Sequence, residues 1–306
     1  MGTTYHLTWL EEEGLPEPEA VHVGVEAVLE TINASMSTYR ADSEINRFNA
    51  APVGEWFAVS PEFLEVFKLA REVSEASDHA YDVTVGPLVD LWGFGPEQGD
   101  QVPLKNAITE AMAMVGEQRV DVDPATSSLR KQQALELDFS SIAKGYGVDK
   151  VADWMAAQGI GNYLVEIGGE IRVAGMSPRG TPWRIAVERP SPLERQIVAA
   201  LELRDVAVAT SGDYRNFFEF EGERFSHSID PRTGWPVRHE LVSVSVVHES
   251  ATLADAWATA LTILGPQLAW ETAVEESLAV YLISRDGEGV LLQRSPEMDR
   301  WLVQPD

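Results

Sequence analysis

Residues 137–155 read LDFSSIAKGYGVDKVADWM, and no other stretch restricts the fold of this chain as much. The segment is read as a short strand carrying an acid, Asp138, followed by the hydroxyl residues Ser140 and Ser141. Ala143-Lys144-Gly145-Tyr146-Gly147 then opens a helix. A strand that passes this directly into a helix points unpaired backbone N–H groups and a lysine at one place. That arrangement suits a phosphate-bearing ligand. The Gly and Lys spacing is not that of a phosphate-cradling P-loop, and strand-loop-helix passages with a Gly and a Lys are common. Taken alone, the stretch leaves a phosphate role and a purely structural one both open.

The flanking sequence limits what this passage can belong to. MGTTYHLTWL alternates as a strand, and apolar positions from Val21 to Met36 recur at helical spacing, predicting a helix over 19–36. MSTYRADSEINRFN reads as loop and cap chemistry, with Ile45 and Phe48 folded back on the core. Ser60-Pro61 makes an N-cap and first-turn pair for a second helix ending near Ser77. AYDVTVG (80–86) reads as strand-like, and it runs into Pro87 and a segment with Trp92 and Phe94. That segment is either a packed turn or an aromatic wall for a flat ligand. A short helix is expected within 97–118, and two strands about a turn at Asp123-Pro124. NYLVEIGGEIRVAG is a hairpin turning at Gly168-Gly169. Further strands follow, and a second hairpin region groups Arg215, His227, Asp230 and Arg232. After it come a strand, a helix from Ala251 and a closing hairpin. Helices mixed with antiparallel hairpins, without repeat or linker, specify an α+β fold. The economical architecture is one compact unit with two lobes over residues 1–306.

Charge narrows the partners. The 306 residues carry 23 basic against 49 acidic side chains, a net charge of −26. Such a surface repels nucleic acid and anionic lipid, so nucleic acid is excluded as a partner. An anionic small molecule requires a site that is locally basic or holds a metal. With no cysteine, disulfides, thiolate metal sites and cysteine nucleophiles are excluded. No run approaches the roughly 20 apolar residues of a membrane span. The sequence opens without a signal-peptide pattern, which leaves a cytoplasmic protein and one whose leader was removed both open.

On the helix from Ala251, Asp255, Thr259 and Thr262 share a face at i, i+4 and i+7. A carboxylate and a hydroxyl one turn apart are hard oxygen ligands of the kind Mg2+ takes. The same Asp255 could equally cap or brace a neighbouring loop.

Together the blocks MSTYRADSEINRFN, YDVTVGPLVDLWGFGP, LDFSSIAKGYGVDK, YLVEIGGEIRV, SGDYRNFFEFEGERFSHSIDPRTGWPV and ADAWATALTILG resemble the FAD:protein FMN transferases, the ApbE flavin transferases. The resemblance runs in order along practically the whole chain, and SHSIDPRTGWP with ADAWATAL is its most specific part. It implies an ApbE-like fold and Mg2+-dependent transfer of FMN from FAD to a threonine hydroxyl of a target protein, with release of AMP. It also implies contacts to FAD at Met1, Tyr39, Ala80, Tyr81, Asp82, Asp138, Lys144 and His227. Mg2+ is implied at the Ser141 carbonyl, Asp255 and Thr259, with the Ala258 carbonyl as a further candidate. Asp255 and His227 are the two candidates for taking the threonine proton. FAD hydrolysis and flavin binding without catalysis are the alternatives.

The opening MGT resembles a motif that in this family follows a secretion leader with a lipid-carrying cysteine. The chain is therefore expected to be a trimmed form of a periplasmic lipoprotein, tied to the membrane only through that anchor. The implied acceptors are flavin-carrying subunits of membrane electron-transfer complexes, of the Na+-translocating NADH:quinone oxidoreductase or Rnf type. They are expected to carry a short Asp/Ser/Thr-Gly/Ala-Ala/Ser-Thr segment.

Overall fold

The computed structural model describes residues 2–303 except 96–98, 100, 190–195, 213–216, 221 and 288. The chain begins with β1 (Tyr5–Trp9) and α1 (Pro18–Met36), as the alternation and the helical spacing predict. The expected loop after α1 contains a short helix, α2 (Glu44–Ala50). Its start is fixed by the Ser43 hydroxyl, which accepts the Asn46 N–H at 3.3 Å. The Asn46 amide donates to the carbonyls of Thr38 and Arg40 at 2.9 and 2.8 Å, folding the loop onto the helix. Seven residues are too few to show a period. β2 (Trp56–Ala58) leads to α3 (Pro61–Ala76), capped by the Ser60 hydroxyl as its sequence predicts.

Residues 80–86 do not form a strand. Asp82 accepts the Thr84 N–H at 2.7 Å and the Thr84 hydroxyl at 2.6 Å, which bends the chain into a turn. Gly86-Pro87 then starts α4 (Gly86–Leu91). After α5 (Lys105–Met112), β3 (Val120–Asp123) and β4 (Ser128–Lys131) form a small antiparallel sheet with β2.

The expected short strand at 137–139 is extended chain without a strand neighbour. Leu135, Leu137 and Phe139 are buried in alternation. The pairing partner of Leu137 is instead the Asn49 side chain, which accepts its N–H at 2.8 Å and donates to its carbonyl at 2.9 Å. The Asp138 N–H donates to the Val83 carbonyl at 2.7 Å.

From there α6 (Ala143–Ala157) leads into the hairpin β5 (Tyr163–Ile167) and β6 (Glu170–Ala174). Gly168 and Gly169 turn it with φ of 62° and 105°, a region glycine enters without strain. β7 (Trp183–Arg189), β8 (Gln196–Leu203) and β9 (Val206–Gly212) follow. Two small hairpins come next, β10 (Phe217–Phe220) with β11 (Glu223–Ser226), and β12 (Ile229–Asp230) with β13 (Trp235–Pro236). β14 (Leu241–His248), α7 (Ala251–Glu275), β15 (Ala279–Asp286) and β16 (Gly289–Arg294) complete the order. α7 breaks at Gly265 (φ 78°, ψ 172°), immediately before Pro266, and resumes as a second helical piece.

The main sheet has the order β1-β5-β6-β9-β14-β15-β16, antiparallel throughout. α6 and α7 cover one face and are covered in turn by α1 and α3. α7 is buried on nearly every side by short residues, Ala251, Ala254, Ala256, Ala258 and Ala260 among them, as expected of a helix between a sheet and other helices. The opposite face packs on the β7–β8 ribbon through Trp183, Leu201 and Leu203. A separate cluster around Leu88, Trp92, Phe225 and Ile229 joins α4 and α5 to the small hairpins. The Trp92 indole N–H, donating to the Gly234 carbonyl at 2.9 Å, fastens this second lobe. The α+β expectation therefore holds.

Candidate active site

A cleft of about 780 Å³ lies where the second lobe meets the N-terminal end of α6 and the Asp255–Ile263 stretch of α7. Eight of the expected residues line it together: Tyr81, Asp82, Asp138, Ser141, Lys144 and His227, with Asp255 and Thr259 from α7. Ala80 is buried behind the lining, Tyr39 is 77% exposed and outside it, and Met1 lies outside the described residues, as does Arg215.

The deep end of the cleft is organised by Asp255, which is 2% exposed. Its Oδ2 accepts the backbone N–H of Gly145 at 3.0 Å, and its Oδ1 lies 3.2 Å from the Lys144 Nζ. Gly145 permits this approach, since a Cβ there would stand 2.2 Å from the Ala251 carbonyl oxygen and 2.9 Å from the Asp255 Cβ. The N–H of Gly145 thus turns to Asp255 instead of reaching back one turn, and among the described residues no backbone N–H donates to the Ser141 carbonyl. The Ser141 hydroxyl is occupied, donating to the Tyr81 hydroxyl at 3.0 Å. Across from it, the Thr259 hydroxyl is 3.3 Å from that of Ser211. Thr262 donates to the Ala258 carbonyl at 2.8 Å, so that carbonyl already has a partner.

The start of α6 differs from the sequence expectation in one respect. Ile142 and Ala143 donate to the Phe139 carbonyl at 3.0 and 2.7 Å, and Gly145 donates to Asp255. What this helix end presents to a ligand is the Lys144 side chain rather than a row of free amides.

Glu170 is the functional candidate that the sequence reading missed. It begins β6 beside the glycine turn, is 3% exposed, and accepts from Lys144 at 2.5 Å. Its other oxygen, Oε2, is buried without a hydrogen-bond partner. Burial, reinforced by the nearby Asp255 charge, pushes its carboxyl up to about 8. Burial works against the Lys144 ammonium as well, but Asp255 and Glu170 outweigh it and hold the lysine above its usual range. No local pattern marks it, because its role depends on which strand faces α6. Glu170 and Arg172 alternate on one face of β6, and both pair with α6, through Lys144 and Asp149 respectively.

Asp82 is pushed up to about 6 by burial, with the Glu117 charge adding to the effect. Its carboxylate braces the 82–84 turn and accepts the Glu117 N–H at 3.2 Å. Toward the mouth, Phe94 and Phe218 form an apolar side, their ring centroids 5.4 Å apart. Trp92 is fully buried beneath them and belongs to the core. Trp92 thus belongs to a packed turn, and Phe94 from the same segment lines the cleft.

The charges in this cleft do not favour an anion unaided. Asp82, Asp138, Glu170 and Asp255 face it against one lysine. The Asp255 carboxylate, the Thr259 hydroxyl and the Ser141 carbonyl are hard oxygen donors suited to Mg2+. Each carboxylate oxygen accepts more than one bond, so Asp255 retains capacity beside Gly145 and Lys144. Among the described residues no group of three or more His, Asp or Glu side chains is placed to hold a metal. An ion held here would be completed by neutral oxygens, water and ligand oxygens, as Mg2+ tolerates.

Residues 1–282 match the model of the ApbE family. The chain belongs to the ApbE family. A relative from Vibrio cholerae named FAD:protein FMN transferase is 44% identical over 290 residues, covering 94% of this chain and 86% of the relative. One of the same name from Haemophilus influenzae is 42% identical over 302 residues, covering 96% and 87%. The ApbE fold is equally plain in three dimensions. The flavin transferase ApbE from Vibrio cholerae superimposes with a TM-score of 0.92 at 41% identity, covering 99% of this chain and 96% of that one. The apo flavinyl transferase ApbE from Pseudomonas stutzeri gives 0.91 at 40% identity, covering 98% and 93%.

Proposed function

We propose that this protein transfers FMN from FAD to a threonine hydroxyl of a target protein, with Mg2+ as cofactor and AMP as the leaving product. The observation that carries this reading is the cluster of Lys144, Glu170 and Asp255, with Thr259 and the Ser141 carbonyl, at the deep end of a cleft with an aromatic side. The names of its relatives support the same chemistry.

In the reaction, the threonine oxygen forms a bond to the phosphorus on the FMN side. The bond from that phosphorus to the bridging oxygen breaks, AMP departs with the bridging oxygen, and the threonine proton goes to a base. Asp255, Thr259 and the Ser141 carbonyl would hold Mg2+, which when bound supplies positive charge against the pyrophosphate and the transferred phosphoryl oxygens. Lys144 adds a second positive charge toward the phosphates. Phe94 and Phe218 offer a face for a flat ring. Because Asp255 is committed to the metal in this reading, we assign the proton to His227, which lines the cleft on the opposite lobe. On the strength of the sequence resemblance, we take the acceptor to be a flavin-carrying membrane electron-transfer subunit, and the place of action the periplasm.

Incubation with FAD, Mg2+ and a polypeptide carrying the acceptor segment should release AMP and protein-bound flavin in equal amounts. AMP with free FMN would make water the acceptor and the enzyme a hydrolase. Flavin binding without AMP would reduce the protein to a carrier.

Lys144→Ala tests the phosphate end of the cleft. A charge-assisted contact is worth on the order of 1.5–3 kcal/mol, so FAD affinity should fall roughly tenfold to a hundredfold. Fluorescence titration showing unchanged affinity would move the phosphates elsewhere.

A further inference from the structure

We propose that Glu170 is a positioning residue that draws the Lys144 ammonium away from Asp255, so that Asp255 keeps the lone pair and the negative field that a divalent cation needs. This rests on the metal assignment made above and adds to it a residue that is not itself a ligand.

The geometry is asymmetric. The Lys144 Nζ lies 2.5 Å from Glu170 Oε1 but 3.2 Å from Asp255 Oδ1. Asp255 Oδ2 is committed to the Gly145 N–H, which leaves Oδ1 as the less occupied oxygen. An ammonium is a compact point charge on a flexible stem and settles on the strongest acceptor within reach. With Glu170 neutral, that acceptor would be Asp255 Oδ1. The lysine would then close to full ion-pair distance and cancel the charge a divalent ion requires.

Charge counting gives the same answer. With Glu170 ionised, Asp255, Glu170 and Lys144 together carry one net negative charge, and with it neutral they carry none. Glu170 is also an unusual choice for packing alone. Its Oε2 is buried with no hydrogen-bond partner, a condition that costs stability. A neutral residue of the same shape would fill the space at least as well. Glu170→Gln keeps the volume of the site but breaks the Lys144 ion pair, so thermal unfolding is followed beside the affinities to separate a stability loss from a change in binding.

The test measures two affinities separately, in mildly alkaline buffer and without acceptor protein. Mn2+ is titrated by electron paramagnetic resonance in the absence of FAD, and FAD is titrated by fluorescence in the presence of EDTA. Glu170→Gln should weaken Mn2+ at least about tenfold, because a full charge close to the ion is lost. It should tighten metal-free FAD by roughly threefold or more, because a negative charge leaves the phosphate site and Lys144 is released toward it. The double variant Lys144→Met/Glu170→Gln restores one net negative charge, and its Mn2+ affinity should return to within about threefold of the parent.

Opposite movement of the two affinities, with recovery in the double variant, supports the proposal. Unchanged Mn2+ binding in Glu170→Gln, a parallel loss of both ligands, or no recovery in the double variant overturns it while leaving the metal assignment standing. A parent protein that binds no Mn2+ overturns the metal assignment and this inference with it.

Discussion

Asp255→Asn is expected to retain FAD binding and to lose flavin attachment by about two decades in rate, equivalent to roughly 3 kcal/mol of transition-state stabilisation. The amide preserves the volume of a fully packed position on α7, and its oxygen still accepts from the Gly145 N–H, so the helix crossing should survive. It removes the negative charge that would hold a hard cation in the proposed reaction and that faces Lys144 at 3.2 Å. The loss should fall on turnover, because charge on the transferred phosphoryl group is stabilised most strongly in the transition state. Measuring FAD affinity and the rate of FMN attachment side by side separates the two effects. Attachment at near the parent rate would make Asp255 a brace between helices and place the metal elsewhere.

The second large effect is expected at Asp149, on stability rather than chemistry. Its carboxylate accepts from the Ser250 hydroxyl at 2.7 Å, the Ala251 and Thr252 N–H groups at 3.0 and 2.9 Å, the Thr252 hydroxyl at 2.7 Å and Arg172 at 2.8 Å. One acid on α6 thus satisfies the first free amides of α7 and opposes the positive end of that helix. Asp149→Ala leaves those donors and Arg172 without their partner, a loss of about 3–5 kcal/mol by analogy with breaking a buried ion pair. Thermal unfolding should move down by roughly 5–10 °C. Activity at low temperature should suffer too, because α7 carries Asp255 and Thr259. A melting temperature within about a degree of the parent would show that water replaces the carboxylate at that helix end.

Much of this was legible in the sequence for identifiable reasons. α1, α3 and the β5–β6 hairpin are each specified by one dominant local signal, namely an apolar stripe, a Ser-Pro start and a Gly-Gly turn. Asp255, Thr259 and Thr262 could be placed on one helix face because helical spacing alone decides it. The failures share another physical origin. Residues 80–86 look like a strand by composition, but the Asp82 side chain competes successfully for the backbone N–H of Thr84. Leu137 has a strand's burial, yet its partner is the side chain of Asn49, 88 positions away. Glu170 and Asp149 owe their importance to which helix faces which strand, and no local pattern encodes that.

The contact between α6 and α7 at Gly145 gives the site a particular mechanical character. A main-chain carbonyl where a side chain would ordinarily intervene means that the spacing between Lys144 and Asp255 is gauged by two backbones touching, with no flexible side chain as a shim. Rotamer fluctuations of Lys144 move its ammonium but leave the spacing of the two main chains unaltered, whereas sliding one helix along the other alters that spacing at once. Substitutions in the first piece of α7, before the Gly265 break, that shift the register of the helix should therefore detune the lysine and the aspartate together, with neither residue changed.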